Sequence, residues 1–284
     1  MDDSGVYPSE VKRILGIIAT ALVFTVSAYG ADGVKLEPNA TLSFEFPDLS
    51  DTLATMITGE KQTARLTAEL PENYSSDGKF PLFIFLHGGH GGHGKPHPVT
   101  REIAGKRDFI CVTLPLFKRT FDTNEGALVS MDDFDTVSRA YRNMLQKLLD
   151  GVPNVTPERS ALGGFSNGAH TTAVLLAGQD EFILRHFRSF FFVEGGSPLA
   201  ANVLQKLAMK RNRFLVLFGD QLKGDPVHEA LILVGRSLEY SAQERQLDFT
   251  SIVMRGAGHE MPPQYATQIG QWVRGEKLPE LEKR

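Results

Sequence analysis

Six short apolar runs, separated by segments with helical spacing, constrain the fold of this chain more than any other feature. The runs are Leu82–Leu86, Phe109–Leu114, Ser160–Gly164, Ser189–Val193, Phe214–Phe218 and Phe249–Met254. Their apolar residues are continuous rather than alternating with polar ones. Continuous apolarity is typical of strands that are covered on both faces, as in a parallel sheet.

The segments between these runs have the periodicity of amphipathic helices. Met131–Leu149 carries apolar residues at helical spacing, with Asp132 and Asp133 near its start and Gly151 just after its end. The other predicted helices are Asn167–Ala177, Leu199–Met209, Val227–Ala242 and Pro262–Val273. Strands that alternate with helices predict an α/β fold, a doubly wound and mostly parallel sheet with helices on both faces.

Two earlier runs alternate in polarity and predict an antiparallel edge to this sheet. They are Thr41–Phe46 and Thr63–Leu70. With them the sheet has about eight strands. The chain of 284 residues, 42% of them hydrophobic, is long enough for one large domain, which we place at residues 31–284 with its core between about 36 and 275.

The N-terminal segment predicts a secretory signal peptide over residues 1–30. Lys12-Arg13 precede an apolar stretch from Ile14 to Val26, and small residues follow up to Ala31. This order of basic, apolar and small residues is that of a signal peptide cleaved after Gly30. The protein is therefore expected to be secreted or periplasmic.

Two alternatives remain open for this N-terminal segment. The first is a membrane anchor that stays uncleaved, although the apolar stretch is short for a span. The second concerns the start of translation: Asp2, Asp3 and Glu10 are unusual in a signal peptide, and Val11 is a candidate initiator.

Charge and cysteine content exclude several other classes of protein. The formal net charge is −4 and no long run of Lys or Arg is present, so a nucleic-acid partner is not expected. The single cysteine, Cys111, excludes an internal disulfide, and its apolar neighbours predict a buried thiol rather than a nucleophile.

The motif Gly164-Phe165-Ser166-Asn167-Gly168 carries the strongest chemical signal in the chain. A predicted strand precedes it and a predicted helix follows it. A G-x-S-x-G motif at a strand–turn–helix junction lifts the serine hydroxyl out of the sheet, where it can act as a nucleophile. Ser166 is therefore the predicted nucleophile, and a simple serine cap of the helix is the alternative.

A glycine-rich segment, His87-Gly88-Gly89-His90-Gly91-Gly92-His93-Gly94, follows the strand that ends at Leu86. Its H-G-G start resembles the oxyanion loop of lipases and esterases, in which backbone N–H groups bind a developing negative charge. The expected donors are the N–H groups of Asn167 and of Gly88 or Gly89.

The histidines of this segment also raise the possibility of a metal site. They are His87, His90, His93 and, shortly after, His97. Metal ligands usually need positions held by secondary structure, which a glycine-rich loop does not provide. We therefore predict no metal ion and no cofactor.

A histidine after the last strand is the predicted general base. His259 lies in Gly256-Ala257-Gly258-His259-Glu260, the turn that follows Phe249–Arg255. A serine hydroxyl needs such a base because it is a poor nucleophile at neutral pH. A surface histidine without catalytic function is the alternative.

Together these residues resemble the α/β-hydrolase superfamily, and within it the secreted esterases and polyhydroxyalkanoate-depolymerase-like enzymes, a group that includes feruloyl and acetyl esterases. The motifs that carry the resemblance are His87-Gly88-Gly89, Gly164-Phe165-Ser166-Asn167-Gly168 and Gly258-His259-Glu260-Met261-Pro262-Pro263. The similar layout extends over most of residues 62–275. It implies hydrolysis of small or polymer-attached carboxylic esters through an acyl-enzyme, without a large lid domain. A serine peptidase or amidase, and a binding protein with a degenerate triad, are the alternatives.

The resemblance also implies a triad acid after the strand Phe214–Phe218. Family members often carry it three residues beyond the glycine that ends this strand, and Leu222 stands there in this chain. We expect Asp225 to be the acid, with Asp220 as the second choice and Glu194, after the preceding strand, as the third.

The acyl pocket has four candidate lining residues: Phe117, Phe121, Phe165 and Met261. Each is also a candidate for ordinary core packing, because aromatic residues are frequent in any core of this size.

Overall fold

The computed structural model describes residues 35–51, 54–55, 63–89, 92, 94–118, 131–197, 199–200, 212–221, 224 and 226–278. The predicted signal peptide lies outside these residues. So do His90, His93, Phe121 and Asp225, and nearly all of the predicted helix Leu199–Met209.

Ten strands are found in the described residues. They are β1 (Thr41–Phe46), β2 (Ala54–Thr55), β3 (Ala64–Glu69), β4 (Phe80–Leu86), β5 (Ile110–Thr113), β6 (Phe117–Lys118), β7 (Val155–Phe165), β8 (Ser189–Val193), β9 (Arg213–Gly219) and β10 (Asp248–Met254). Each of the six continuous apolar runs forms a strand, and β8 has the predicted bounds.

Six α-helices accompany these strands in the described part of the chain. They are α1 (Pro98–Ala104), α2 (Phe134–Gly151), α3 (Asn167–Ala177), α4 (Glu181–His186), α5 (Pro226–Glu244) and α6 (Pro263–Arg274). Short 3-10 turns lie at Pro47–Asp51 and Met131–Asp133. None of the described helices is long and apolar enough to cross a membrane.

Eight strands form one sheet in the order β1-β3-β5-β4-β7-β8-β9-β10. The pairs β1–β3 and β3–β5 are antiparallel, and every pair from β5 to β10 is parallel. The prediction of a mostly parallel sheet with an antiparallel edge is therefore confirmed. A separate two-stranded pairing joins β2 to β6.

Two hydrophobic layers cover the two faces of the sheet. Along β4, Leu82 and Ile84 belong to one layer, which includes α2 and α3, while Phe83 and Phe85 belong to the other, which includes α1 and α6. All seven residues of β4 are buried, as are all five of β8. Burial on both faces is the physical reason why these strands read as continuous apolar runs.

The carboxyl ends of β7, β8 and β10 lie at the same edge of the sheet, because the strands from β7 to β10 run parallel. Ser166 directly follows β7, Glu194 directly follows β8, and His259 lies five residues beyond β10. In open α/β sheets this edge is where ligands bind. No lid domain is inserted between β8 and β9 in the described residues.

Candidate active site

Ser166 lies in a sharp turn between β7 and α3. Its backbone has φ 54° and ψ −118°, in the positive-φ region that residues other than glycine rarely adopt. The turn is held by two backbone hydrogen bonds: Ser166 N–H donates to Val193 O at 2.8 Å, and His170 N–H donates to Ser166 O at 3.0 Å. The predicted strand–turn–helix arrangement around the serine is present.

Gly164 and Gly168 are required by the close approach of β7, α3 and the end of β4. A Cβ on Gly164 would lie 2.3 Å from Leu86 O, and one on Gly168 would lie 2.1 Å from the same oxygen. Real Cβ atoms do not approach an oxygen this closely, so any larger residue would push the turn away from β4. The glycines therefore bring Ser166 next to the H-G-G segment.

His259 lies in a turn that is tied to the end of β9. Gly256 adopts a positive φ of 69°, which glycine tolerates best. Its N–H donates to Asp220 Oδ1 at 2.7 Å, and Gln221 N–H donates to Ala257 O at 3.0 Å. These contacts fix the backbone that presents the His259 imidazole.

The imidazole of His259 lies between a hydroxyl and a carboxylate. Its Nε2 is 3.0 Å from Ser166 Oγ, and its Nδ1 is 3.5 Å from Glu194 Oε2. The His259 side chain is 29% exposed, whereas that of Glu194 is fully buried. A nucleophile, a base and an orienting acid have these relative positions in serine hydrolases.

Glu194 has an unusual backbone as well as a buried side chain. It follows β8 with φ 50°, and its N–H donates to Leu217 O at 2.8 Å. Its Oε1 accepts a hydrogen bond from Gly219 N–H. The backbone of Glu194 and one of its carboxylate oxygens are thus both bound to β9, and the other oxygen faces His259.

The position of the acid differs from our first expectation. Glu194, the third choice from the sequence, is the carboxylate beside His259 Nδ1. Asp220 instead accepts a hydrogen bond from Gly256 and supports the turn that carries the histidine. Asp225, the preferred candidate, lies outside the described residues.

One sequence signal pointed to Glu194: it follows a strand that is apolar from Phe190 to Val193, at the same sheet edge as Ser166. The signal was weak because the direction of the Glu194 side chain depends on the positive φ of its backbone, which the sequence does not predict.

The H-G-G segment lies against the serine turn. A Cβ on Gly88 would be 3.0 Å from the Phe165 ring and 3.5 Å from Ser166 Cβ. Gly89 follows in a turn, half-buried, and Asn167 is the first residue of α3. Gly88 and Asn167 therefore lie beside Ser166, at a helix N-terminus, where negative charge is favoured.

Neither a family model nor a curated protein matches this sequence at a significant level. Solved structures do match the fold. A feruloyl esterase from Anaeromyces mucronatus, in complex with ferulic acid, is 14% identical with a TM-score of 0.50, over 81% of this chain and 88% of that one. A thermostable carboxylesterase cloned from a metagenomic library is 14% identical with a TM-score of 0.50, over 84% of this chain and 90% of that one.

An acylaminoacyl peptidase from Pyrococcus horikoshii also matches, at 14% identity and a TM-score of 0.55. The match covers 88% of this chain but only 44% of the peptidase, so this chain spans less than half of that protein. The chain has the α/β-hydrolase fold. The fold-class prediction is confirmed.

The first histidine of the H-G-G segment, His87, is half-buried against His97. Burial, together with the charge of the nearby His97, lowers the pKa of His87 from 6.5 to about 3. The two rings are 3.9 Å apart between centroids, and His87 Nε2 has no hydrogen-bond partner. The other two histidines of the segment, His90 and His93, lie outside the described residues.

A different group of side chains has the spacing of metal ligands. In the described residues, Glu194, His228 and His259 each offer a ligand atom, all within 4.8 Å of one another. Glutamate with two histidines is a ligand set that Zn²⁺ uses in hydrolases. His259 also contacts Ser166 through its second nitrogen, however, and the serine arrangement accounts for that contact whereas a metal site does not.

Of the aromatic residues proposed to line an acyl pocket, Phe165 is the one beside the histidine. Its ring stacks on the His259 imidazole, with centroids 4.9 Å apart and planes 25° from parallel. Phe117 is fully buried against Tyr141, and Met261 packs on the layer that contains α6. Phe117 therefore belongs to the core.

Cys111 is buried in β5, as its apolar neighbours predicted. Burial raises the pKa of its thiol to about 12. A thiol in this state is not a nucleophile at neutral pH.

Proposed function

We propose that this protein is a serine hydrolase that cleaves carboxylic esters through an acyl-enzyme on Ser166. The observation that carries the proposal is the position of His259, whose Nε2 lies 3.0 Å from Ser166 Oγ while its Nδ1 faces the buried carboxylate of Glu194. In this proposal Ser166 is the nucleophile, His259 the general base and Glu194 the acid.

Acylation begins when His259 Nε2 removes the proton from Ser166 Oγ as the oxygen attacks the ester carbonyl. The carbonyl oxygen becomes an oxyanion, which the N–H groups of Asn167 and of Gly88 or Gly89 stabilise. Loss of one such donor typically costs about 3–4 kcal/mol of transition-state stabilisation. The protonated His259 then donates its proton to the departing alcohol.

Deacylation repeats these steps with water as the nucleophile. His259 removes a proton from water, the oxyanion forms in the same place, and Ser166 leaves with the proton that His259 returns. Glu194 keeps the imidazole in the tautomer with its proton on Nδ1 and stabilises the imidazolium that forms. Its burial strengthens this effect, because charges interact more strongly away from water.

The type of ester is inferred from the elements that surround the site. The absence of a lid domain between β8 and β9 in the described residues favours esters that are accessible, small or attached to a polymer. The similar feruloyl esterase and carboxylesterase support an ester, and the similar peptidase makes an amide the alternative.

The test compares esters and amides that share one acyl group. We expect p-nitrophenyl acetate to be hydrolysed faster than p-nitroacetanilide by several orders of magnitude. Equal or faster cleavage of an acyl-amino amide would identify a peptidase instead. Hydrolysis of neither substrate, with no labelling by a fluorophosphonate, would favour a binding protein.

Ser166→Ala tests the nucleophile directly. We expect it to abolish hydrolysis and fluorophosphonate labelling, because no other hydroxyl is proposed to attack the carbonyl. Ser237→Ala, an exposed serine on α5, is the matched control and should retain both. Unchanged hydrolysis by Ser166→Ala would contradict the proposal.

Secretion remains a prediction from residues 1–30. Expression of the full chain in a bacterial host should place the mature protein in the periplasm or medium, with an N-terminus at Ala31. A chain of full length that stays in the membrane fraction would identify an uncleaved anchor.

A further inference from the structure

A second histidine shares the carboxylate of Glu194. His228, in the first turns of α5, has its Nδ1 2.9 Å from Glu194 Oε2, the same oxygen that faces His259. Its side chain is 2% exposed. The two imidazole rings are 6.3 Å apart between centroids. Nothing in the acyl-transfer steps above uses His228.

Glu194 needs such partners because its carboxylate is fully buried. A carboxylate taken out of water is costly unless N–H groups satisfy its oxygens. Gly219 N–H supplies one hydrogen bond to Oε1. Oε2 has the two histidine nitrogens near it, and the His228 nitrogen is the closer of the two.

The contact with His228 also restricts where Oε2 can lie. Gly219 fixes one oxygen from the backbone of β9, and His228 approaches the other from α5. A carboxylate held at both oxygens cannot rotate away from His259, whose own contact with it is long at 3.5 Å. Small displacements of a positioning group reduce catalysis strongly, because catalysis depends on the geometry of the reacting groups.

We propose that His228 is a positioning residue, which holds the Glu194 carboxylate towards His259 through the close contact of its Nδ1 with Oε2. The inference rests on the proposed function, since it concerns the acid of that triad. His228 acts through Glu194 and does not itself contact the substrate.

Variants of His228 separate positioning from simple packing. Asn carries an amide N–H near the position of Nδ1, whereas Gln carries its N–H near the position of Nε2. His228→Asn should therefore retain most of the turnover number, and His228→Gln should lose about 10- to 100-fold, the range seen when a group that orients a functional side chain is removed. KM should change little. Glu229→Gln, the exposed neighbour on α5, is the control and should match the wild type.

A double variant tests whether the effect passes through Glu194. In a Glu194→Gln background, adding His228→Gln should reduce the rate of fluorophosphonate labelling by less than about threefold, because the carboxylate that His228 positions is already absent. Equal losses in both backgrounds would show an independent packing effect and overturn the inference. Equal turnover numbers for His228→Asn and His228→Gln would also overturn it.

Glu194, His228 and His259 also have the spacing of metal ligands, so a metal site is a further outcome to test. If dialysis against a chelator reduces the wild-type turnover number, and Zn²⁺ restores it, the three residues are a metal site and the positioning function is wrong. We expect no effect of the chelator.

Failure of this inference is distinguishable from failure of the proposed function. Loss of hydrolysis in Ser166→Ala together with full turnover in His228→Gln would overturn only the function of His228. Hydrolysis that persists in Ser166→Ala would overturn both.

Discussion

Glu194 is the carboxylate that faces His259, and it is also the residue whose role was hardest to predict. Its side chain reaches His259 because the backbone turns at φ 50° directly after β8, and because Gly219 N–H binds one of its oxygens. Asp220, the second choice from the sequence, lies directly after β9, but its carboxylate binds the Gly256 N–H.

Substitution of each acidic residue by its amide distinguishes these candidates. Glu194→Gln should lower the turnover number by about 10³- to 10⁴-fold, the loss seen when a triad acid is neutralised in other serine hydrolases. The Gln carbonyl can still accept from Gly219, so the fold should be retained. The measurement is ester hydrolysis under saturating substrate, with circular dichroism to verify folding.

Asp220→Asn is the matched control for this prediction. Its amide oxygen can still accept the hydrogen bond from Gly256, so we expect a turnover number within a few-fold of the wild type. If Asp225→Asn or Asp220→Asn causes the large loss and Glu194→Gln does not, the assignment of Glu194 is wrong.

The β7–turn–α3 element stores backbone strain at Ser166. A non-glycine residue at positive φ outside the common regions costs of order 1–3 kcal/mol and persists only where the surrounding structure enforces it. Two features enforce this backbone at Ser166. Gly164 and Gly168 approach Leu86 O closely, and the Ser166 N–H donates to Val193 O. The strain places the hydroxyl beside His259.

Glycine at position 166 should relieve this strain. We expect Ser166→Gly to be more stable to urea unfolding than Ser166→Ala by about 1 kcal/mol, since glycine adopts this backbone without penalty but loses more entropy on folding. Both variants should be inactive, so the comparison isolates the backbone effect.

Position 237, an exposed serine within α5, provides the control with the opposite sign. There glycine should be less stable than alanine by about 1 kcal/mol, because the backbone is helical. A Ser166→Gly variant no more stable than Ser166→Ala would contradict the strain argument.

The strands differ in how well the sequence predicts them, and burial explains the difference. β8 and β4 are covered on both faces, so every residue except Ser189 is apolar and the runs stand out. β7 begins at Val155, five residues before the predicted start, because its first residues are partly exposed and polar. The two-residue strands β2 and β6, and the short helix α4, are too brief to carry a periodic signal.

At the scale of the whole molecule, the parallel sheet assembles the site from three distant segments. Ser166, Glu194 and His259 each follow a different strand, and the parallel direction of β7, β8 and β10 brings their carboxyl ends to one edge. Ser166 and His259 were predictable because glycine-rich turns mark them. Glu194 is also followed by two glycines, but it lies in none of the three family motifs, and its proximity to His228 arises from the packing of α5 against β9.

The fold also makes the stability of the molecule sensitive to acid through His87. The His87 ring packs between Phe85 and His97, and its burial there lowers the pKa of His87 from 6.5 to about 3. Between these values the unfolded chain binds a proton that the folded protein excludes. The stability contributed by the neutral ring is therefore fully present above pH 6.5 and decreases as the pH falls towards 3.

The expected size of this effect is about 1.4 kcal/mol per pH unit, or roughly 2 kcal/mol between pH 6.5 and 5. His87→Gln removes the titrating group, so the free energy of unfolding should decrease less between these two pH values than in the wild type. His170, whose pKa burial also lowers, provides a comparison: His170→Gln should leave the contribution of His87 in place. Urea unfolding at pH 5.0, 6.0 and 7.0 measures all three proteins. Equal pH dependence in the wild type and His87→Gln would show that His87 is solvated or paired in the folded state, contrary to its burial here.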